Sequence, residues 1–193
     1  DPVTLVLGDN VFLGGGMGKT LKEAQTSIDR GVTNLFGIRV PDPERFGVAE
    51  VSENDEILSI EEKPEVPKSD IAVTGLYMYP PDVVEVAKSL VPSSRGELEI
   101  SELNMHYVSN NNARINVLQN DCVWFDTGTP QSLHEASEHV SKLQRETGEM
   151  SSCIEEISWR NGFISNVELA QSAEIYPKNS YYGSYLRRIM ENN

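Results

Sequence analysis

Residues 3–7, Val-Thr-Leu-Val-Leu, form a short apolar run that stops at Gly8 and a lone carboxylate, Asp9. Such a run predicts a buried strand. An acid at the carboxyl end of a buried strand sits where open α/β sheets place metal and ligand chemistry. A chain that opens directly on a core strand is also expected to continue a longer polypeptide. The pattern then alternates. Met17, Leu21, Ala24 and Ile28 repeat at helical spacing, and residues 33–40 read as a second strand. A strand, a helix of this length and a strand make a βαβ unit, which implies a parallel sheet.

Shorter strands are expected near 46–51 and 56–61, flanking the turn pair Asn54-Asp55. Ile71–Tyr79, rich in β-branched and aromatic residues, reads as a strand, and Pro81 opens a helix. A helix over 97–109 and two strands within 113–125 follow. Thr129-Pro130 is a hydroxyl cap with proline in the first turn, so another helix starts there. Beyond Gly148 only short helical periods occur. The expected fold is α/β, a three-layer, mixed but mainly parallel sheet over residues 1–148, with a helical appendage over 149–193.

Composition narrows the function. Thirty acidic against sixteen basic residues give a formal charge of −14, which repels a phosphate backbone and argues against nucleic-acid binding. No apolar run approaches the ~20 residues of a membrane span. A small phosphorylated substrate is still admissible where a few Lys and Arg converge. Cys122 and Cys153 are too few for a zinc site and read as buried thiols of a reducing compartment.

Asp126 closes a second apolar strand, Cys122-Val-Trp-Phe125. Two strand-end carboxylates could share Mg²⁺, which takes one or two carboxylates and completes its shell with phosphate and water. Each acid alone equally suits a turn. In Glu61-Glu-Lys-Pro64, Lys63 could pair with a phosphate and Glu62 could accept from sugar hydroxyls, or the segment is a solvated hairpin edge. Arg95, in a loop entering a helix, could clamp a phosphate or pair with Glu97 or Glu99. Gly14-Gly-Gly16 lacks the Lys-Ser/Thr ending of a phosphate loop. His106, His134 and His139 lie in helical stretches away from the acids, and no arrangement for nucleophilic hydrolysis is visible.

Six words in order, Leu7-Gly-Asp-Asn10, Asp42-Pro-Glu-Arg-Phe-Gly-Val48, Ile60-Glu-Glu-Lys-Pro64, Ala72-Val-Thr-Gly-Leu-Tyr77, Arg95-Gly-Glu-Leu-Glu-Ile100 and Trp124-Phe-Asp-Thr-Gly-Thr129, make the chain resemble the glucose-1-phosphate thymidylyltransferase family of sugar nucleotidyltransferases. The resemblance runs from residue 3 to about 190. It implies that glucose 1-phosphate attacks dTTP to give dTDP-glucose and pyrophosphate, with Mg²⁺ held by Asp9 and Asp126. It implies that Lys63 contacts the sugar phosphate, that Glu62 binds glucose hydroxyls, and that Gly47, Val73 and Arg95 complete the pocket. The product would feed dTDP-rhamnose and surface-polysaccharide synthesis. A cytoplasmic homo-oligomer, tetrameric in bacterial relatives, is implied, with no nucleic acid or membrane partner.

The family opens with a glycine-rich triphosphate loop that residues 1–193 do not show. The chain is therefore expected to be a carboxyl-terminal portion without the nucleotide-binding part, inactive by itself. The segment Cys153–Arg160 resembles one that lines a regulatory nucleotide site in tetrameric members, so Glu156, Ile157 and Arg160 are candidate effector contacts, or simply part of a packed helix. Two rivals stand beside this reading: a uridylyl- or adenylyl-transferase on the same fold, and a non-catalytic sugar-phosphate-binding or assembly module.

Overall fold

The computed structural model describes residues 1–14, 16–53, 56–93, 96–119 and 121–191. Its elements are, in chain order, β1 (Val3–Val6), β2 (Asn10–Gly14), α1 (Met17–Ile28), β3 (Thr33–Arg39), β4 (Gly47–Val51), β5 (Ile57–Glu62), β6 (Ile71–Tyr79), α2 (Val83–Ser89), α3 (Ile100–Ser109), β7 (Ala113–Val117), β8 (Cys122–Asp126), α4 (Pro130–Thr147), α5 (Ile154–Arg160), α6 (Asn166–Ile175) and α7 (Tyr181–Glu191). The turn pair Asn54-Asp55 lies outside the described residues. Contacts divide the chain into two compact units, Asp1–Leu133 and His134–Asn193.

The first unit is organised around β6, buried along nearly all its length. Alternation sorts its side chains onto two faces. Ile71, Val73, Tyr77 and Tyr79 join Leu35, Ile60 and Ile115 beneath Val83 of α2 and Leu103, Tyr107 and Val108 of α3. Leu76 and Met78 face the other way, with Phe36, Ala24 of α1 and Cys122 of β8. Helices thus cover both faces of the sheet, giving three layers.

The six-stranded sheet runs β5-β4-β6-β3-β7, with β1 also paired to β6. The expectation of a mainly parallel sheet is corrected here. Among the described pairings only β3–β7 is parallel, from Thr33↔Ala113 to Gly37↔Val117. Every other pair is antiparallel. The βαβ inference fails for a specific reason. β1 and β3 do run the same way, but β6 inserts between them, antiparallel to both. Hydrophobic periodicity reports burial and not strand direction, so the insertion left no trace in the pattern.

The second unit has its own core of Cys153, Leu169, Ala173, Tyr185, Leu186 and Ile189. Ser165 caps α6 in a capping box. The Glu168 N–H donates to the Ser165 hydroxyl at 3.3 Å, and the Ser165 N–H donates to the Glu168 carboxylate at 2.7 Å. Both cysteines are free and buried. Among the described residues, no helix is long and apolar enough to cross a membrane.

Glu155 of α5 accepts hydrogen bonds from the hydroxyls of Tyr176, at 3.0 Å, and Tyr182. Burial alone would raise its carboxyl pKa, but the bonds from Tyr182, from the Glu155 backbone and from Tyr176 outweigh burial and hold it below the ordinary range. The stability this contributes is present above the unfolded carboxyl value and is lost as pH falls through the depressed folded value. Replacing both hydroxyls (Tyr176→Phe with Tyr182→Phe) is expected to weaken the second unit by about 1.5–3 kcal/mol at neutral pH and to flatten its acid sensitivity. Hydrogen exchange of the 153–191 amides across the acid range reads both effects.

Candidate functional site

The two strand-end acids meet because β2 exists. The sequence pattern assigned no element to Val11–Leu13, which run into Gly14. β2 pairs antiparallel with β8, in register from Asn10↔Asp126 to Gly14↔Cys122. That register ends the two strands side by side and brings Asp9 next to Asp126. The Thr127 N–H and hydroxyl both donate to the Asp9 carbonyl at 2.8 Å, closing the corner. A Cβ placed on Gly128 would lie 3.3 Å from Asp126 Oδ1 and 3.7 Å from Asp9 Oδ2. The two carboxylates therefore border one small space that glycine leaves open.

Asn10 holds this corner to the sheet. Its Oδ1 accepts from the Gly75 N–H of β6 at 2.8 Å and from the Trp124 indole N–H of β8 at 2.7 Å. Its Nδ2 donates to Asp9 Oδ1 at 2.9 Å. One carboxamide thus orients a carboxylate and ties together β2, β6 and β8.

The opposite wall comes from β4, β5, β6 and α3. Gly47 faces Glu62 across the β4–β5 ladder, and a Cβ on Gly47 would be 3.2 Å from Glu62 Oε2. The Ser101 hydroxyl, from the first turn of α3, donates to that same oxygen. Lys63 follows with φ of 45°, a left-handed conformation that is strained for a residue with a side chain. Its N–H donates to the Phe46 carbonyl at 3.0 Å. Lys63 has no ion-pair partner among the described residues. Arg45 differs: its guanidinium bonds Asp42 at 2.6 Å and lies 5.2 Å from the Phe46 ring centre. That hydrogen bond and the Asp42 charge, with a smaller contribution from Asp126, keep it firmly protonated. Phe46 meets Trp124 edge-on at 5.1 Å.

Both walls enclose a cavity of about 200 Å³ lined by Asp9, Asp126, Gly47, Glu62, Lys63 and Val73. Six of the seven residues proposed from the sequence for metal and sugar phosphate thus converge. The seventh, Arg95, lies outside the described residues. Asn10, Arg45, Ser101, Asn104 and Trp124 also line the cavity and were not foreseen. Asn10, Arg45 and Trp124 stand inside the sequence words already quoted, next to the residues that were named. A larger hollow of about 720 Å³ between the start of α1 and β7 is lined by Lys19, Glu23, Arg114 and Asp121 among others. It contains none of the seven. No His lines the smaller cavity, and among the described residues no three His, Cys, Asp or Glu are grouped to hold a metal.

In the second unit, Glu156 is 8% exposed. Its carboxylate accepts from Arg160 Nε at 2.8 Å and from the Tyr185 hydroxyl. Ile157 stands half exposed beside this pair.

The fold is α/β, with a carboxylate pair beside a polar pocket. The chain belongs to the nucleotidyl transferase family, whose model matches residues 1–142. It is 48% identical over 191 residues to the glucose-1-phosphate thymidylyltransferase of Neisseria meningitidis, covering 99% of this chain and 65% of that one. It is 44% identical over 193 residues to that of Mycobacterium tuberculosis, covering 100% and 66%. The chain therefore spans just under two thirds of the length of these relatives. Among solved structures, a Bacillus anthracis protein assigned as a glucose-1-phosphate thymidylyltransferase, crystallised with sucrose, superimposes with a TM-score of 0.63 at 38% identity, over 72% of this chain and 54% of that one. An apo UDP-glucose pyrophosphorylase shares the fold, with a TM-score of 0.61 at 24% identity over 74% and 55%.

The expectation of a carboxyl-terminal portion lacking the nucleotide-binding part is corrected by these comparisons. The family model matches from the first residue through residue 142, so the family's region occupies the amino-terminal part of this chain. The reading rested on a motif not found in residues 1–193, and such a gap is weaker evidence than a continuous match. The inactivity inferred from it is withdrawn.

A Cβ on Gly75 would sit 2.7 Å from the Asn10 carboxamide, closer than any relaxed contact. Gly75→Ala is expected to expel Asn10, break the Trp124 bond and destabilise the first unit by about 1–3 kcal/mol. Thermal denaturation should show a drop of several degrees, with altered Trp fluorescence; an unchanged melt would remove Asn10 from its central place.

Proposed function

We propose that the chain serves glucose 1-phosphate thymidylyl transfer: the phosphate of glucose 1-phosphate attacks the α-phosphorus of dTTP, releasing pyrophosphate and forming dTDP-glucose. The observation that carries this reading is the convergence of Asp9, Asp126, Glu62, Lys63, Gly47 and Val73 on one cavity. Its volume of about 200 Å³ is below the ~300–1,000 Å³ of drug-sized sites, which suits one sugar ring and its phosphate. Lys63, without an ion-pair partner, meets the sugar phosphate as a point charge. Glu62, fixed by Ser101, accepts from sugar hydroxyls. Val73 and the Gly47 backbone shape the pocket, while a sugar-phosphate contact for Arg95 rests on the sequence resemblance alone.

Asp9 and Asp126 fit Mg²⁺: both are hard oxygen donors bordering the same opening beside Gly128, and Asn10 occupies only one oxygen of Asp9. When bound, Mg²⁺ neutralises charge on the reacting phosphates. No protein nucleophile is required, because such transfers depend on positioning and charge compensation. The same reading makes the protein a cytoplasmic homo-oligomer with no nucleic-acid or membrane partner. It also makes Glu156, Ile157 and Arg160 contacts for a nucleotide effector. Since Glu156 and Arg160 already pair, Ile157 and the outer edge of the guanidinium are the groups free to touch it.

Calorimetric titration with glucose 1-phosphate and Mg²⁺ tests the reading. Saturable binding is expected, weakened at least ~10-fold in Glu62→Gln; absence of saturable binding in the wild type would refute it. Asp126→Asn is expected to lower Mg²⁺-dependent pyrophosphate release from dTTP at least ~100-fold, about 2.7 kcal/mol of transition-state stabilisation, without changing the melt. Lys63→Gly separates strain from function. It should leave stability within about 1 kcal/mol of the wild type, because relief of the left-handed backbone is offset by glycine's greater freedom in the unfolded chain, yet weaken sugar-phosphate binding, so affinity should fall without a matching loss of melting temperature.

A further inference from the structure

Asn104, on α3, is 1% exposed and still lines the cavity. Its Oδ1 accepts from the Tyr79 hydroxyl at 2.7 Å. Tyr79 is itself 1% exposed and lies between Tyr77 and Tyr107, each 5.8 Å away between ring centres. Burial first, then the neighbouring Tyr77 and Tyr107, raise the pKa of its hydroxyl, so it keeps its single proton and gives it to Asn104. That bond fixes which way the carboxamide faces. The amide nitrogen, a donor of two hydrogens, is left with no hydrogen-bond partner among the described residues. Among the described residues the one fully buried side-chain atom without a partner is the Thr33 hydroxyl, so the Asn104 nitrogen opens on the cavity, where a ligand oxygen can accept from it.

The surroundings restrict what that ligand atom can be. Ser101, three residues earlier and so on the same helix face, spends its proton on Glu62 Oε2. The carboxylate of Glu62 and the amide of Asn104 therefore offer an acceptor and a donor side by side along one wall. A phosphate oxygen could accept from Asn104 but would be repelled by Glu62. Two neighbouring hydroxyls satisfy both groups, one donating to Glu62 and the next accepting from Asn104. Ile60, Val73 and Ile100 supply apolar surface around them.

We infer that Asn104 is a specificity-determining residue that donates to one hydroxyl oxygen of the sugar, adjacent to the hydroxyl that Glu62 reads. Tyr79 is its positioning residue, holding the carboxamide in the donating orientation. This rests on the reading that the cavity holds the hexose of a hexose 1-phosphate. It goes beyond that reading by naming the group that rejects sugars lacking the matching hydroxyl, since a site built to bond a hydroxyl leaves a buried donor unpaired when the hydroxyl is missing.

The test is calorimetric binding of glucose 1-phosphate and its single-deoxy analogues to the wild type, Asn104→Asp and Asn104→Ser, with melts recorded for each. Asn104→Asp exchanges the donor for an acceptor at constant shape, and Asn104→Ser provides a neutral variant should the buried charge prevent folding. The expected result is a loss of about 10- to 100-fold for glucose 1-phosphate in the variants. A similar loss is expected for one deoxy analogue on the wild type, with that analogue alone insensitive to the substitution. Tyr79→Phe should give a smaller loss on the same analogue pattern. A folded variant that binds glucose 1-phosphate as the wild type does, or that weakens every analogue equally, overturns the inference while leaving the proposed function standing. A wild type that binds no glucose 1-phosphate overturns both.

Discussion

The site depends on where one carboxamide sits. Asn10 bonds backbone of β6, the indole of β8 and the carboxylate of Asp9 at once, so three strands and one candidate metal ligand share a single anchor. Each bond is modest by itself, about 0.5–1.5 kcal/mol net, but losing the bond to Gly75 costs more, because it leaves the N–H of a buried strand residue unpaired. The close approach of Asn10 to Gly75 requires a residue without a side chain on β6. The β2–β8 ladder then fixes the remaining geometry, since its register ends both strands at the same level. Two carboxylates remote in sequence become neighbours through backbone pairing and not through any attraction between them, which as like charges they lack.

Much of the fold was legible. Ile71–Tyr79 is a strand over the full expected length, and the Thr129 hydroxyl accepts from the Ser132 N–H at 3.1 Å as a helix cap should. What could not be read was direction and partnership. The alternation along β6 records that both its faces are buried, and says nothing of whether β1 and β3 touch each other or are held apart by it. β2 was missed because its glycine end is as typical of a loop as of a strand; only pairing with β8 decides between them.

The site divides in the same way. Asp9, Asp126 and Lys63 stand out as charges at the ends of strands, but each alone suits a turn, and six quoted sequence words were needed to bring them together. Ser101 and Asn104 carried no usable signal. A serine and an asparagine in a helix look like surface residues of middling propensity, and their burial against β5 and β6 depends on how α3 is docked. The groups that orient the named residues are thus less visible than the residues they orient, because their roles arise from tertiary contact alone.

The lining of the cavity is acidic on balance. Asp9, Asp126 and Glu62 contribute three negative charges to its lining, whereas Arg45 is already compensated by Asp42, leaving Lys63 as the cation without a partner among the described residues. A chain of net charge −14 presents a repulsive field to any phosphate that approaches. Lys63 alone does not offset the three acidic side chains of the lining. If a divalent cation is bound, Asp9 and Asp126 would be the residues to hold it, and its charge would offset theirs at that end of the cavity.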